Sequence, residues 1–417
     1  MRITNLEGDD PQPFLLGANY WPRKRPMDLW KTFDIDEVHD DFATLSELGI
    51  DVIRLFLLWE DFQPDPSTIR CASLAHLLQA CDAAAAEGLK VDLTFFVGHL
   101  GGCNWAPSWL VDHGVASAQS TPLIVGGRIV RNGMIRSPYD DAEARRAAVR
   151  LVRGVAKAIV GHSAVRSYDL GHEPERFVAP NNSARAADWL RELAQAIHNV
   201  DAERPITCGL HADSLVRTDL LRVDQVFAHL DFSVVHAAVP SSTLSDHSLD
   251  NDFVSFACAL VAALTNKPCL LQSWGLKRRL PQLSRADDRS LVDAQVSPPL
   301  SEQLLAKHVG ETLSQLVDVG ATGAYLSCFS DDLCDGSDGA RLECGTEERS
   351  FGLLRCDGTP RPHAEVLRRF AESNPIVKPA VRRVNLNMSA DEYYANPAEH
   401  LQRLYFEFKY GSEATRQ

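Results

Sequence analysis

The chain has 417 residues and a formal net charge of −14, from 42 Lys plus Arg against 56 Asp plus Glu. Nucleic-acid binders obtain much of their affinity from Lys and Arg that neutralise phosphates, so this acidic balance argues against a nucleic-acid partner. The 45% hydrophobic and 24% charged residues are typical of a folded globular protein with a sizeable core.

Short β-prone runs alternate with helical patterns along most of the chain. Several of the helical patterns, such as residues 36–49, stop on a glycine, which is a common residue just beyond a helix end. Strands are predicted over residues 15–21, 51–59, 89–97, 165–171, 205–209, 231–239, 267–275 and 321–330. Helices are predicted over residues 36–49, 73–88, 141–161, 184–200, 214–228, 250–265, 301–320 and 360–372.

These elements amount to about eight βα units. The predicted strands lack the alternation of apolar and polar residues, which fits a parallel sheet buried on both faces. Eight units favour a closed barrel, and the GxGxxG motif that a Rossmann fold carries after its first strand is absent. We therefore predict an α/β fold, a (β/α)8 TIM barrel over residues 1–373, with a C-terminal strap over residues 374–417 packed on the barrel wall.

Two long insertions, residues 98–140 and 276–299, follow the third and seventh predicted strands. Both are βα loops, and the βα loops form the face of a barrel on which active sites lie. Functional residues are therefore expected at the carboxyl ends of the strands and in these loops.

The ten cysteines are scattered and form no CxxC pair, which favours a reduced set. A disulfide among Cys334, Cys344 and Cys356 is the alternative, and their spacing matches no zinc pattern. The N-terminus has no apolar signal-peptide core, and the longest apolar stretch, residues 256–264, is about half of the roughly 20 residues that span a membrane. We expect a cytoplasmic protein without a membrane partner.

The fourth predicted strand ends in the sequence YDLGHEPE, residues 168–175. Here Glu173 stands between an imidazole, His172, and a proline, Pro174. The proline restricts the backbone and removes a hydrogen-bond donor, so Glu173 is a candidate to point into the cleft. A surface glutamate that merely follows a strand is the alternative interpretation.

Segments at six of the strands carry a resemblance to a known family. They are GANYWPR, VIRLFLLWEDFQP, YDLGHEPE, HAAVP, KPCLLQSWG and GAYLSCFSDD, on the first, second, fourth, sixth, seventh and eighth strands. Together they resemble the glycoside hydrolases of clan A, most closely family 5, over essentially the whole barrel. The resemblance implies that Glu173 is the general acid/base, that Arg54 contacts the nucleophile and that His236 is the strand-six histidine, although Val239 stands where an aromatic residue is often found.

The departures from the family pattern concern the reaction itself. A retaining glycosidase needs two carboxylates about 5 Å apart, and the family carries the second in a Glu-aromatic-Gly motif on strand seven. Here that motif reads Ser273-Trp274-Gly275, and Gln272 beside it is also neutral. The family's asparagine before the acid/base is His172, and its tryptophan on strand eight is Ser327. Ser273 therefore occupies the nucleophile position without a carboxylate.

Three other carboxylates are candidates to replace the missing one. Glu60 ends the second strand, and Asp331 and Asp332 follow the eighth. An inverting mechanism needs only a base about 6.5–9.5 Å from the acid, acting through water. Alternatively, Ser273 would act as a nucleophile with His236 as its base, and Glu60 would be an ordinary member of the family's Trp-Glu pair.

Aromatic residues at strand ends and in the third βα loop fit the binding of a sugar's apolar face, although core packing is the more common role of any single one. They are Trp21, Trp59, Trp105, Trp109 and Trp274.

His99 either hydrogen-bonds a sugar or lines its loop. His211 and Asp213 lack a third metal ligand, and residues 277–279 (Lys-Arg-Arg) are predicted to be a solvated loop, so no metal and no cofactor are expected.

The sequence leaves three functions open. The first is a glycoside hydrolase-like protein that acts on or binds a β-linked glycoside or oligosaccharide, with Glu173 as general acid/base. The second is a pseudoglycosidase that binds carbohydrate without turnover, and the third a transglycosylase. The oligomeric state is not predicted. The residues predicted to contact carbohydrate are Arg54, Trp59, Glu60, His99, Trp105, His172, His236, Trp274 and Asp331.

Overall fold

Eight parallel strands form the centre of the protein. The computed structural model describes residues 11–24, 26–115, 121–237, 250–275, 301–331 and 352–411. We number the barrel strands in chain order: β1 Leu15–Tyr20, β2 Val52–Leu58, β3 Lys90–Val97, β4 Val165–His172, β5 Ile206–Gly209, β6 Ser233–His236, β7 Cys269–Trp274 and β8 Gly323–Leu326. All are largely or completely buried, which explains why they lack a polar face.

The strands pair in the order expected of a barrel. Each of β1 to β4 pairs with the next strand, β6 pairs with β7, β7 with β8, and β8 with β1, all in parallel. Between β5 and β6 the Asp231 amide donates to the Ile206 carbonyl and the His236 amide to the Leu210 carbonyl, each over 2.8 Å. These bonds bring the two edges of the sheet together, and the predicted (β/α)8 barrel is confirmed.

A helix follows each strand and covers the barrel. The helices are α1 Ile35–Glu47, α2 Cys71–Ala86, α3 Ala142–Ile159, α4 Ser183–His198, α5 Val223–Phe227, α6 Asn251–Thr265, α7 Glu302–Asp318 and α8 Pro362–Glu372. Most agree with prediction to within two residues. The fifth differs, because the predicted helix 214–228 is a 3-10 turn, Ala212–Leu215, followed by a segment of turns and bends and the short α5. No helix among the described residues is long and apolar enough to cross a membrane.

The barrel interior contains two layers of buried ion pairs instead of only aliphatic side chains. In the lower layer Asp92 accepts hydrogen bonds from Arg166 and, over 2.7 Å, from the Tyr325 hydroxyl. In the upper layer Arg54 donates to Asp169 over 2.5 Å. All of these residues come from the strands themselves, so the polar layers lead upward to the C-terminal mouth, where active sites of this fold lie.

The loop after β3 forms a small structure of its own above the barrel. It contains the short strands His99–Leu100, Cys103–Trp105, Leu123–Val125 and Arg128–Val130, which make one sheet, and a second pair, Val111–Asp112 with Met134–Ile135. Cys103 in this loop and Cys356 each take part in a disulfide bond, so the prediction of a fully reduced cysteine set is wrong. Cys71, Cys81, Cys208, Cys258 and Cys269 are free thiols. Cys334 and Cys344 lie outside the described residues.

The C-terminal extension contacts the barrel helices. It contains α9 Ala390–Ala395 and α10 Pro397–Tyr410. The Tyr393 hydroxyl donates to the Leu215 carbonyl over 2.7 Å, and the Tyr405 hydroxyl donates to Asp250 over 2.5 Å beside the start of α6. The Tyr405 ring packs on Phe253 and Phe256. The division of the chain at residue 374 stays a prediction.

Candidate functional site

A cleft opens at the C-terminal mouth of the barrel. Glu173 and Ser273 both line it, from strands on opposite sides of the mouth. The other described residues that line it are Asn19, Trp21, Phe56, His99, Leu100, Gly101, His172, Arg176, His211, His236, Ala237, Trp274, Gly275 and Ser327. Glu173 is the only carboxylate among these described lining residues.

The backbone at the end of β4 places Glu173 in the cleft. Its φ of 53° and ψ of 54° are left-handed, a conformation that a non-glycine residue adopts at a cost of roughly 1–3 kcal/mol. Its amide donates to the Gly209 carbonyl of β5 over 2.8 Å, and Pro174 then begins the single-turn helix Pro174–Phe177. Backbone strain of this kind concentrates at functional sites, which makes Glu173 the strongest candidate in the cleft.

The Glu173 carboxylate is held by two basic side chains. Its Oε1 lies 3.0 Å from His236 Nδ1, and its Oε2 accepts from Arg176 Nη1 over 3.1 Å. Burial by itself would raise the pKa of Glu173, but the charge on His211 and the hydrogen bond from His236 move that pKa well below its usual range. Glu173 is therefore ionised at neutral pH in the ligand-free cleft.

The protonation of His236 follows from its two neighbours. Burial is the main cause that lowers the pKa of His236, so the ring is neutral, and its Nδ1–H donates to the Glu173 carboxylate. Its Nε2 must then accept, but the atom 3.1 Å away is the Gln272 side-chain oxygen Oε1, while the Gln272 amide nitrogen has no partner. An amide nitrogen turned toward His236 satisfies both groups. With its amide turned in this way, Gln272 donates to His236 Nε2 and supports the tautomer that binds Glu173.

His172 is a neutral hydrogen-bond donor on the floor of the cleft. Burial, followed by the charge on Arg54, lowers the pKa of His172 well below its usual range. Arg54 Nη1 lies 3.0 Å from His172 Nδ1, and because an arginine only donates, Nδ1 accepts and the proton is on Nε2. The carboxylate that Arg54 contacts is Asp169 on β4. The resemblance implied a contact with the strand-seven nucleophile, and Ser273 does not provide one.

Two further histidines stand around Glu173. His211 Nδ1 lies 3.1 Å from both the Asp213 amide and the Asp213 carboxylate, so it accepts from the first when neutral and donates to the second when charged. Burial opposes the charged ring, but the charges on Glu173 and Asp213 and the Asp213 hydrogen bond raise the pKa of His211 overall. His99 donates from Nδ1 to Asn104 over 2.9 Å, and its pKa is lowered chiefly by burial.

Across the cleft from these bases lies a neutral polar cluster. Asn19 Nδ2 donates to Ser273 Oγ over 3.2 Å, and Ser273 Oγ lies 2.9 Å from Ser327 Oγ. The three residues come from the adjacent elements β1, β7 and the end of β8. Ser273 makes no contact with His236, whose two ring nitrogens face Glu173 and Gln272. The alternative of a serine nucleophile with a histidine base therefore has no support in this geometry.

Five of the predicted site residues lie outside the lining of the cleft, and one of them is Arg54, which binds Asp169 and His172 below it. Trp59 is buried and packs on Phe96, and Trp105 is held by a bond from its Nε1 to the Leu100 carbonyl. Glu60 binds the Lys31 ammonium and the Gly126 amide, each over 2.8 Å.

Asp331 does not face the cleft either. It accepts from Arg361 over 2.5 Å and from the Gly352 amide over 2.9 Å. Glu60 and Asp331 were two of the candidates for a replacement carboxylate, and both make structural contacts. Asp332, the third, lies outside the described residues, as do residues 277–279.

Three of the site residues are close enough to share a metal ion. The ligand atoms of His172, Glu173 and His236 lie within 4.8 Å of one another. A ligating imidazole must present a lone pair, whereas His172 receives Arg54 on Nδ1 and carries its proton on Nε2, and His236 directs Nδ1–H at Glu173. Metal binding would require both hydrogen bonds to break, so these residues do not fit a resident metal ion.

Two residues of the cleft were not anticipated from the sequence. Arg176 lies three residues beyond Glu173, and this spacing could have indicated the ion pair once a helical turn after Pro174 was assumed. Asn19 belongs to the GANYWPR segment but was not singled out. Trp21 from the same segment lines the cleft, half-exposed, and stacks on Phe56 with ring centroids 5.1 Å apart.

No protein-family model and no curated protein matches the chain. Solved structures share its fold. A GH5_18 protein from Streptomyces cattleya in complex with GlcNAc superposes with a TM-score of 0.77 at 18% identity, over 98% of this chain and 93% of that chain. A variant of GH5_18 from the same organism, in complex with Manb1-4GlcNAc, gives a TM-score of 0.76 at 18% identity over 97% and 92%.

A third structure is more distant. The exo-beta-1,4-mannosidase Op5Man5 from Opitutaceae bacterium strain TAV5 gives a TM-score of 0.67 at 20% identity, over 90% of this chain and 61% of that chain. At these identities the likeness shows a common barrel fold.

Proposed function

We propose that the protein binds a β-linked glycoside in the cleft and that Glu173 is the residue that exchanges a proton with the glycosidic oxygen. The observation that carries this proposal is the placement of Glu173. It is the only carboxylate among the described lining residues, it ends β4 in a strained conformation, and two basic side chains orient it. A buried, oriented carboxyl group at the mouth of a barrel is suited to general acid/base catalysis.

The sugar class that we propose first is a β-mannoside. Its support is the fold shared with the GH5_18 structure that holds Manb1-4GlcNAc and with an exo-beta-1,4-mannosidase. Within the cleft, Trp21 offers a half-exposed indole face and His172 offers an Nε2 proton. An aromatic face and fixed donors are the groups that recognise the apolar face and the hydroxyls of a sugar.

Turnover by this cleft alone should be slow. Ser273 is neutral, so no second carboxylate is available from β7 to attack the anomeric carbon. Glu173 is also ionised in the ligand-free cleft, and it must first gain a proton to act as an acid. The second candidate function, a pseudoglycosidase that binds carbohydrate without turnover, is favoured by these same two observations.

Leaving-group dependence tests the role of Glu173. The wild-type protein and Glu173→Gln are compared on phenyl and dinitrophenyl β-mannosides. The substitution should lower the rate on the phenyl glycoside, which needs a proton donor, by roughly 10²–10⁴ and should spare the dinitrophenyl glycoside. Glu192→Gln, at an exposed residue paired with Arg145, is the control.

Two other outcomes decide between the candidates. Equal rates of wild type and Glu173→Gln on both glycosides would show that Glu173 is not the acid. Saturable binding of the glycosides without any turnover of either would establish the pseudoglycosidase.

A further inference from the structure

The wall of the cleft opposite Glu173 offers hydrogen-bond donors and no negative charge. Asn19 Nδ2, Ser273 Oγ and Ser327 Oγ form a connected group over 3.2 Å and 2.9 Å. Since Ser273 Oγ already accepts from Asn19, at least one hydroxyl proton of the pair of serines is left to donate into the cleft. A serine side chain also ends well short of where a glutamate carboxylate would reach, so the cluster leaves space for a small group.

The charges around the cleft favour an anion there. Among the described lining residues Glu173 is the only acid, against the guanidinium of Arg176 and an imidazole, His211, whose pKa is raised overall although burial opposes its charge. Asn19, Ser273 and Ser327 carry no charge. An oxyanion that entered from water would meet donors on one side and a largely compensated Glu173 on the other.

We propose that a small oxyanion, a carboxylate or phosphate ion, binds against Asn19, Ser273 and Ser327 and supplies the nucleophile that this chain lacks. The inference rests on the proposed function, since the oxyanion acts on a glycoside bound between this cluster and Glu173. It makes the protein a glycosyl-transferring enzyme that needs a second, anionic substrate.

The proposed step balances as follows. An oxyanion oxygen forms a bond to the anomeric carbon while the bond from that carbon to the glycosidic oxygen breaks. Glu173 gives its proton to the departing oxygen, which leaves as an alcohol, and Glu173 is then reprotonated from solvent. One displacement inverts the anomeric centre, so a β-glycoside and phosphate yield an α-glycosyl phosphate.

The same anion should also favour the protonated form of Glu173. A negative charge near a carboxyl group disfavours its ionisation, so an oxyanion in the cleft should raise the pKa of Glu173 from its low position in the ligand-free protein. The oxyanion would therefore supply the nucleophile and, by its charge, help Glu173 to keep the proton that it takes from solvent.

The test measures turnover of dinitrophenyl and phenyl β-mannosides in sodium formate, sodium phosphate and sodium chloride at matched ionic strength. We expect a saturable increase of about tenfold or more in at least one oxyanion over chloride, a factor that corresponds to about 1.4 kcal/mol. If phosphate is the substrate, mass spectrometry detects a glycosyl phosphate. If only formate acts, the site takes carboxylates.

Substitutions in the cluster of Asn19, Ser273 and Ser327 test whether the oxyanion increases turnover by binding there. Ser327→Ala and Asn19→Ala each remove one donor, and each should raise the half-saturating oxyanion concentration by about tenfold while the protein still binds the mannoside. Ser273→Glu places a tethered carboxylate in the same space, and its turnover should no longer depend on added oxyanion. Phe406→Ala, on the exposed side of α10, is the control.

Two results would overturn the inference. If the turnover rates at matched ionic strength are equal in chloride, formate and phosphate, an anion site is excluded. An oxyanion effect that persists unchanged in Ser327→Ala, Asn19→Ala and Ser273→Glu would exclude it as well. In either case mannoside binding would leave the proposed function standing, whereas a protein that binds no mannoside in any of the salts would contradict both.

Discussion

The charge on Glu173 is the residue-scale feature on which the chemistry depends. Burial opposes the ionised form, but the charge on His211 and the hydrogen bond from His236 outweigh that effect and lower the pKa of Glu173. In a two-carboxylate glycosidase the nucleophile acts in the opposite direction, since a like charge holds the proton on the acid. At the position where the resemblance implies that carboxylate, Ser273 is neutral, so no like charge from β7 holds a proton on Glu173.

His211 provides a test of this balance. Its positive charge is the first of the influences that lower the pKa of Glu173, after the opposing effect of burial. His211→Gln removes the charge, so the pKa of Glu173 should rise and the basic limb of the pH–rate profile should move to higher pH. Rates on the phenyl β-mannoside across pH measure this. A basic limb that stays in place, or moves to lower pH, would contradict the assignment.

Glu175 lies two residues beyond Glu173 and predicts a pH-dependent stability. Burial, followed by the charge on Glu173, raises the pKa of Glu175 from 4.5 to about 7. The folded state therefore binds this proton more tightly than the unfolded state does. Its contribution to stability is complete below pH 4.5 and is lost as the pH rises toward about 7.

The substitution Glu175→Gln removes this titration and keeps an acceptor for the His211 amide, which Glu175 binds over 2.7 Å. The free energy of unfolding of the variant, relative to wild type, should increase between roughly pH 5 and pH 8. Urea unfolding at the two pH values measures it, with Glu192→Gln as an exposed control. If the difference in unfolding free energy between Glu175→Gln and wild type does not change with pH, the raised pKa of Glu175 is contradicted.

At the scale of elements, the strand ends were predictable and the side-chain directions were not. Apolar runs located all eight strands, and with them Glu173, Ser273 and His236, because residues that end parallel strands meet at one mouth. Trp59 and Glu60 were expected to end β2, but β2 ends at Leu58, and both residues belong to a single helical turn, Trp59–Phe62, that carries their side chains away from the cleft. Whether such a turn forms depends on tertiary packing, about which a local sequence pattern gives no information.

The buried pair of Arg54 and Asp169 links β2 to β4 below the cleft. Both side chains are fully buried, and Arg54 also donates to His172. Asp169→Asn leaves the arginine charge without a counter-charge, so it should cost about 3 kcal/mol or more in the free energy of unfolding. Asp188→Asn, on the exposed face of α4, should cost less than about 0.5 kcal/mol. Equal, small effects of the two substitutions in chemical denaturation would show that the pair does not support the barrel.

At the scale of the whole molecule, the C-terminal extension is predicted to contribute to the stability of the barrel. Tyr405 is 4% exposed and packs on two phenylalanines of α6, whereas its neighbour Phe406 is 43% exposed. Tyr405→Ala should lower the free energy of unfolding by about 3 kcal/mol. Phe406→Ala should change it by no more than about 0.5 kcal/mol.

A single cooperative unfolding transition, shifted by Tyr405→Ala and not by Phe406→Ala, would show that extension and barrel unfold together. A separate early transition that alone responds to Tyr405→Ala would show that they are independent units.

Titration calorimetry with Manb1-4GlcNAc, the ligand of a structure with this fold, measures whether a β-linked glycoside binds in the cleft beside Glu173, as we propose. We expect saturable binding at one site, weakened by about tenfold in Trp21→Ala, which removes the indole face from the cleft, and unchanged in Phe406→Ala. No heat of binding, or equal affinity in the wild type and Trp21→Ala, would contradict it.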